Sequence, residues 1–370
     1  MNNNFNNNGF PLEPEVKRNY TPEEAGHGTY RKPISRKRKY RRNGVNIGVV
    51  LIAIVFALIV VACVYIIGSG NRNEIEIPVA DETTEEIFTV VETEPPKEIT
   101  VTVTEEQMHM GDLILVNYAN PYTFAESEIN DIVTIQSMKN EYYLLSKSYH
   151  SLRRHVIDVC NTMFSDMFAA NGCRYMQVNS AYRSYDDQIN TYNSFLASHG
   201  EEYTRDYVAT PGYSEHHTGL ALDLNVNVNG AIYYVESYED CAWFRDNCQN
   251  YGFILRYPAE KRHITGVKGE TWHYRYVGTP HAALMKGLDL CLEEYTDYLK
   301  SYTYDTNVMY YEDGLITKAP ADPEWESGYM IYYVPLEGET TEITVPNFCE
   351  YYISGNNVDG FVVTVQKDLD

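Results

Sequence analysis

The chain contains 370 residues, enough for one large catalytic domain with appended segments or for two modest domains. Its formal net charge is -23, but residues 1–45 hold ten Lys or Arg against four Glu, so that region carries +6 and the remainder -29. Because proteins that bind nucleic acid present basic surfaces, so acidic a main part argues against nucleic acid as a partner.

The N-terminal region combines a polar tail with a long apolar run. Residues 1–44 begin with MNNNFNNN and are polar, which predicts a disordered cytoplasmic tail. The run over 47–67, IGVVLIAIVFALIVVACVYII, carries no charge and as a helix would be roughly 30 Å long, the thickness of a hydrocarbon core. A cleaved signal peptide normally has an apolar region of about 7–15 residues before a small-residue cleavage site, and this run has neither feature.

We therefore predict a retained transmembrane helix over residues 45–68. Lys and Arg cluster before the run and acidic residues follow it, so the N-terminus is expected in the cytoplasm and the rest of the chain outside. The prediction is a single-pass protein of the cell membrane, anchored through residues 47–67. Residues 69–106, acidic with interspersed Thr and Pro, are predicted to form an extracytoplasmic stalk.

Seven cysteines are distributed as one in the apolar run, Cys63, and six in the predicted external part. An even number of external cysteines permits disulfides without specifying any pairing. Cys241 and Cys248 lie seven residues apart in a predicted helix, about 10 Å between Cα atoms, which is too far for a bridge. The sequence has no CxxC pair, so cysteine ligands for zinc are not expected.

Residues 107–300 alternate predicted strands and helices. Apolar residues recur every three or four positions over 148–170, and Asn171-Gly172 supplies a stop signal, which predicts a helix. Thr279 and Pro280 are suited to the N-cap and first position of a helix running to about Lys300. The other predicted elements are strands at 111–117, 174–180, 219–226, 252–258 and 271–278, and helices at 185–198 and 237–250.

Residues 301–370 have the alternating apolar and polar pattern of strands, as in GYMIYYVPLEGETTEITVP and GFVVTVQ. They are predicted to form a small β-rich module. The sequence leaves open whether this module is an independent accessory domain or a cover for the catalytic sheet.

Three segments carry residues suited to metal chemistry: SAYRSYDDQ at 180–188, PGYSEHHTGLALDL at 211–224 and GETWHYRYVG at 269–278. A catalytic zinc site requires three nitrogen or oxygen ligands, an open position for water, and a carboxylate that is not a ligand. Either His216 or His217, together with Asp223 and His273, can supply the ligands. Glu270 can supply the carboxylate base.

These segments resemble the zinc D-Ala-D-Ala carboxypeptidase family, which includes vancomycin-resistance D,D-carboxypeptidases and related L,D-carboxypeptidases. The family pattern of SxYRS followed by Gln, then SEHxxGLAxD, then ExWHxRYVG occurs here in order, and the likeness extends over about residues 108–300. The resemblance implies an α+β fold of the hedgehog and D,D-peptidase type: an antiparallel sheet with flanking helices around a zinc site.

The resemblance also assigns roles to individual residues. The family's first ligand is the His directly after Ser-Glu, so it selects His216 over His217. The implied assignments are zinc ligands His216, Asp223 and His273, catalytic base Glu270, substrate-contacting Arg183, and further substrate-pocket residues Ser180, Gln188 and Ser214. One departure from the family pattern is Thr271, where the family usually has Pro. Trp272 and Tyr274 alternate with His273 along a strand, so both are expected to pack in the core.

The implied function is removal of D-Ala from peptidoglycan stem peptides by an enzyme with one Zn²⁺ per chain. Two alternatives stay open. An L,D-carboxypeptidase acting on tetrapeptide stems would use the same metal site with a differently shaped pocket. A non-catalytic, zinc-stabilised module that binds the cell wall would lack the base or the pocket arginine, and Glu270 and Arg183 are both present here.

Overall fold

The computed structural model describes residues 96–347 and 349–367. The predicted cytoplasmic tail, the predicted transmembrane helix and residues 69–95 of the predicted stalk lie outside these residues. Within the described ranges, no helix has both the length and the apolar character needed to cross a membrane.

Helices and strands alternate from Glu98 to Leu299, and only strands follow from Val308 onward within the described residues. The α-helices are α1 (Glu126–Asn130), α2 (Arg154–Asn171), α3 (Tyr185–Tyr207), α4 (Ala242–Asn247), α5 (Arg262–Thr265), α6 (His281–Leu288) and α7 (Leu292–Leu299). The strands are β1 (Glu98–Thr104), β2 (Ile132–Thr134), β3 (Leu144–Leu145), β4 (Ser151–Arg153), β5 (Met176–Ser180), β6 (Ala221–Val228), β7 (Ala231–Tyr233), β8 (Phe253–Tyr257), β9 (Glu270–Tyr276), β10 (Val308–Glu312), β11 (Leu315–Ala319), β12 (Gly328–Pro335), β13 (Thr340–Pro346), β14 (Glu350–Gly355) and β15 (Gly360–Lys367).

Residues 107–300, predicted to form the peptidase domain and called the peptidase part below, are built on a sheet with strand order β3-β5-β6-β9-β8, and β7 extends it by pairing with β6. The pairs β5–β6, β6–β9 and β8–β9 are antiparallel, as predicted, whereas the short β3 runs parallel to β5. Helix α2 buries its apolar stripe, including Val156 and Phe164, in the same core cluster as Met176 and Leu222 of the sheet. The fold is therefore mixed α/β. Strands β6 and β9 of this sheet carry three of the predicted site residues, Asp223, Glu270 and His273.

Two predicted elements, the strand at 111–117 and the helix at 185–198, differ from the observed structure. Residues 111–117 form no strand; Leu113 and Leu115 donate backbone hydrogen bonds to Ser354 Oγ and Asn356 O instead. A continuous apolar run indicates burial but does not by itself distinguish a strand from another buried segment. The helix predicted to end at Gly200 continues to Tyr207 beyond a kink at that glycine, whose φ is 81°.

The helix predicted from Thr279 to about Lys300 is two helices. Helix α6 begins after Pro280, so Pro280 and not Thr279 is the N-cap residue. It ends at Leu288, and the next residue, Asp289, takes a left-handed conformation with φ 54°. The backbone N–H of Cys291 then donates to the Glu294 side chain at the start of α7. The break arises because aspartate tolerates the left-handed region better than most residues.

The C-terminal strands form an antiparallel sheet of order β11-β10-β12-β15-β14, and β13 pairs separately with β1. Residues 98–104, predicted as stalk, are thus a strand of this region, with Val103 buried among its apolar residues. A shared apolar cluster joins the sheet to the peptidase part: Leu115 and Ile254 belong to the same cluster as Ile331 and Val362. All described residues fall within one compact unit, so the C-terminal strands pack on the peptidase part.

Candidate metal and peptidase site

Two adjacent strands and one tight turn bring His216, Asp223 and His273 together. Asp223 on β6 lies directly opposite His273 on β9 in the antiparallel register. His216 lies in a short 3-10 turn, Glu215–Thr218, where the Ser214 hydroxyl accepts the backbone N–H of His216 at the N-cap. The left-handed Gly219, φ 68°, then returns the chain into β6.

The three side chains have a geometry suited to a metal ion. Each offers one ligand atom, and the three atoms lie within 4.8 Å of one another. His216 Nε2 is 3.4 Å from Asp223 Oδ2, and His273 Nδ1 is 3.0 Å from Asp223 Oδ1. Ligand atoms about 2.0–2.2 Å from a tetrahedral zinc are separated by roughly 3.3 Å, so the donor set and its spacing fit such an ion.

Each imidazole also has a partner that fixes which nitrogen faces the cluster. His216 Nδ1 donates to the carbonyl oxygen of Ala181 at 2.7 Å, which leaves Nε2 free to bind a metal. His273 Nε2 donates to Glu215 Oε2 at 3.3 Å, which leaves Nδ1 on the side of Asp223. Burial, with the nearby Arg183 charge, lowers the pKa of His216 to about 4, so this ring is neutral as a metal ligand must be.

The neighbouring His217 lies apart from this cluster. Its Nδ1 donates to the Arg183 carbonyl at 2.8 Å, and its Nε2 accepts the Gly212 N–H at 3.0 Å. With both ring nitrogens used by the backbone, His217 fixes the turn and has no atom left for a metal.

Glu270, the first residue of β9, lies beside the ligand cluster. Its Oε2 is 3.8 Å from His273 Nδ1, beyond hydrogen-bond distance, and it lines the same cavity as the three ligand candidates. Burial raises the pKa of Glu270 to about 8, and the nearby charge of His273 opposes that rise. Burial alone would lower the pKa of His273, but its hydrogen bonds to Asp223 and Glu215 raise it to about 9, so Nδ1 must release its proton when it binds a metal.

Arg183 enters the cavity from the segment between β5 and α3. Its Nη1 donates to Gln188 Oε1 at 2.9 Å, and Gln188 Nε2 in turn donates to the Ala209 carbonyl at 2.7 Å. Among the described residues the buried Arg183 Nε has no hydrogen-bond partner. A buried donor left unpaired is costly, so its position fits a site that receives an acceptor from a ligand.

The remaining predicted pocket residues have different positions. Gln188 and Ser214 line the cavity, but the Ser214 hydroxyl is used in capping the turn. Ser180 pairs with Asp223 in the sheet and is not among the lining residues. Tyr274 is buried in the core, as expected, whereas Trp272 is half-buried and lines the cavity. The expectation of core packing for Trp272 is wrong, because strand alternation specifies the face of a residue and not what covers that face.

Several cavity residues were not foreseen from the sequence. Tyr118, Tyr207 and Tyr257 line the cavity with Trp272, and Trp272 stacks on Tyr207 at 6.5 Å between ring centroids. The tyrosines come from three segments far apart in sequence and share no spacing. No motif therefore identifies them.

The sequence around this site matches a known protein family. The family model for D-alanyl-D-alanine carboxypeptidases matches residues 149–279, a span that contains all the candidate ligands and Glu270. A D-alanyl-D-alanine carboxypeptidase of Enterococcus faecium is 36% identical over 267 residues, covering 71% of this chain and 78% of that relative. The chain belongs to the D-alanyl-D-alanine carboxypeptidase family. The resemblance inferred from the three motifs is thereby confirmed.

Two further known proteins are similar to this chain. The bifunctional D-Ala-D-Ala dipeptidase and D-Ala-D-Ala carboxypeptidase VanXYC of Enterococcus gallinarum is 40% identical over 131 residues, which are 32% of this chain and 64% of the relative. The solved structure of the vancomycin-resistance D,D-dipeptidase VanXYg, in complex with a D-Ala-D-Ala phosphinate analogue, has 33% identity and a TM-score of 0.62. The match covers 73% of the present chain and 99% of the VanXYg chain. The D,D-peptidase-like fold implied by the motifs is thus observed.

Proposed function

We propose that this carboxypeptidase is zinc-dependent, membrane-anchored, and removes the terminal D-Ala from peptidoglycan stem peptides outside the cell. The observation that carries the proposal is the convergence of three ligand atoms within 4.8 Å, next to a carboxylate that is not one of them. One zinc per chain would be held by His216, Asp223 and His273. Zinc bound there would polarise the scissile carbonyl and lower the pKa of a bound water toward about 7.

Glu270 is proposed as the proton carrier. It accepts a proton from the attacking water and returns it to the amine of the departing D-Ala, acting as general base and then general acid. Glu215, the other glutamate beside His273, cannot take this role because its oxygens are engaged by two arginines and by His273.

Arg183 is proposed to bind an anionic part of the substrate. Gln188 holds one of its nitrogens, and the unpaired Nε leaves a donor for an acceptor oxygen. The guanidinium is permanently charged and forked, which suits either the terminal carboxylate of the peptide or the carbonyl oxygen as it becomes an oxyanion. Tyr257 and Trp272 line the same cavity as Arg183 and offer apolar ring surface to a substrate side chain.

The choice of substrate is tested with three synthetic stem peptides and the full-length chain at equal zinc: a pentapeptide ending in D-Ala-D-Ala, the corresponding tetrapeptide, and the C-terminally amidated pentapeptide. Release of D-Ala should be fastest from the pentapeptide. Amidation removes the carboxylate and leaves the arginine unpaired, at a cost of about 1–3 kcal/mol, so the amidated peptide should be cleaved at least several-fold more slowly.

Each result has a distinct meaning. Faster release from the tetrapeptide would assign the protein to the L,D-carboxypeptidases. Equal cleavage of the amidated pentapeptide would exclude the terminal carboxylate as the partner of Arg183. If the zinc-loaded protein cleaves none of the peptides, the proposed carboxypeptidase activity is contradicted. The alternative of a non-catalytic module that binds the cell wall is then favoured.

The membrane anchor is proposed from the uncharged run at 47–67, which follows a basic segment and precedes an acidic one. Protease treatment of intact cells should release a fragment that contains His273. If the fragment is protected until the cells are lysed, the proposed topology is wrong.

A further inference from the structure

Glu215 contacts Nε2 of the proposed metal ligand His273, whereas Asp223 lies at the other ring nitrogen, Nδ1. Its Oε2 accepts from His273 Nε2 at 3.3 Å, while His273 Nδ1 is 3.0 Å from Asp223 Oδ1. The two nitrogens of one imidazole thus face two different carboxylates, and only the second belongs to the ligand cluster.

Two buried arginines hold Glu215 in this position. Its Oε1 accepts from Arg256 Nε at 2.7 Å and from Arg275 Nη1 at 2.9 Å, and all three side chains are fully shielded from solvent. Arg275 is fixed in turn by the carbonyls of Asp112 and Ile114, each at 2.9 Å. A carboxylate held by two fixed cations has little freedom to leave the imidazole.

We propose that Glu215 is a positioning residue for His273, holding the ring in the tautomer that presents Nδ1 to the metal. The inference rests on the proposed metal site. When Nδ1 binds a metal, the ring keeps a single proton; a carboxylate at Nε2 holds that proton there, makes the imidazole more basic and fixes its orientation. Because Oε1 is already occupied by the arginines, the bond to His273 depends on Oε2 alone.

Glu215→Gln tests this directly. The two arginines require an acceptor, so the amide oxygen would face them and the amide NH₂ would face His273. His273 Nε2 would then have to accept a hydrogen bond, which places the proton on Nδ1, the nitrogen required by the metal. Loss of such an outer carboxylate typically weakens metal binding by about 10–100-fold.

Glu293→Gln is the matched control. Glu293 binds the same Arg256, through Nη1 at 2.9 Å and Nη2 at 2.7 Å, but within residues 96–347 and 349–367 it is not a hydrogen-bond partner of His273. Glu215→Asp is the second variant: it keeps the charge for the arginines but is one methylene too short to reach His273 as well.

Zinc affinity of the full-length proteins is measured by competition with a chromophoric chelator, after circular dichroism has shown that each variant is folded. We expect about 10–100-fold weaker binding for Glu215→Gln and Glu215→Asp and less than about 3-fold change for Glu293→Gln. If Glu215→Gln does not fold, Glu215→Asp decides. ¹⁵N spectra of the histidine rings should show His273 protonated on Nε2 alone in the zinc-loaded native protein, and a different protonation pattern of this ring in the Glu215 variants.

Unchanged zinc affinity in the Glu215 variants would overturn the inference while leaving the zinc site intact. Equal weakening in the Glu215 and Glu293 variants would also overturn it, because it would show a structural effect of the arginines. Failure of the native chain to bind zinc would instead refute the proposed metal site, and the inference with it.

Discussion

Two adjacent histidines illustrate how the site is decided at the scale of single residues. His216 and His217 have the same chemistry and neighbouring positions, and both are buried. They differ in their partners: His216 bonds one carbonyl and retains Nε2, whereas His217 has both nitrogens bound to the backbone. Availability of a ring nitrogen, and not residue type, separates the candidate ligand from the structural residue.

This difference predicts the zinc content of three single variants. His216→Ala and His273→Ala should each lose nearly all bound zinc, because two remaining ligands cannot hold the ion tightly. His217→Ala, the matched control, should keep its zinc while losing some thermal stability. Metal analysis of the purified proteins provides the measurement, and full retention of zinc in both ligand variants would refute the ligand set.

Glu270 permits a second prediction at this scale. Glu270→Gln has nearly the same shape but cannot carry a proton, so turnover should fall by about 10²–10⁴-fold. Zinc content and melting temperature should stay close to those of the native protein, since Glu270 is not among the three clustered ligands. Near-native turnover at unchanged zinc content would exclude Glu270 as the base.

At the scale of secondary-structure elements, β1 shows that a segment predicted as stalk is part of the folded C-terminal region. Its residues Glu98–Thr104 pair along their whole length with β13, and alternate side chains, ending with Val103, face the core of the C-terminal sheet. The acidic and threonine-rich composition that suggested a stalk is also compatible with an edge strand whose other face is in water.

The alternation in β1 predicts contrasting effects of two introduced charges. Val103→Asp would bury a carboxylate among apolar residues and should destabilise the fold by at least about 3 kcal/mol. Thr100→Asp, on the exposed face of the same strand, should change stability by no more than about 0.5 kcal/mol. Chemical denaturation of the two variants measures the difference, and similar values would show that β1 does not pack as described.

At the scale of the whole molecule, the C-terminal sheet is joined to the peptidase part by polar and apolar contacts. Asn357, left-handed with φ 60°, donates through Nδ2 to the carbonyls of Leu115 and Pro121, and its Oδ1 lies 2.6 Å from His109 Nδ1. These bonds cross between segments more than two hundred residues apart. The bond to Leu115 satisfies a carbonyl of a buried residue.

Loss of the Asn357 hydrogen bonds should lower the stability of both the C-terminal sheet and the peptidase part. Asn357→Ala removes the partner of the buried Leu115 carbonyl and should cost about 1–3 kcal/mol, whereas Val358→Ala, at a neighbouring exposed position, should cost less than about 0.5 kcal/mol. Because an apolar cluster is shared across the joint, the described part should unfold in one transition. Two separate calorimetric transitions would indicate that the C-terminal sheet is an independent domain.

The sequence alone determined the family and the candidate site, because the chemistry needs particular residue types at fixed spacings. Local motifs identified the four candidate residues His216, Asp223, His273 and Glu270. In the structure they lie on a tight turn and on strands β6 and β9, where the sequence also predicted strands. Strand positions such as β6, β8 and β9 were also predictable from their apolar patterns and flanking glycines.

Only the tertiary structure decided what surrounds those residues. The position of Trp272 in the cavity, the hydrogen bond from His273 to Glu215, and the pairing of β1 with β13 all join segments distant in sequence. Residues 111–117 are not a strand because their backbone groups find partners near Ser354, which no local pattern records. Propensity and spacing act over a few residues, whereas these contacts are chosen by packing and by the need to pair every buried polar group.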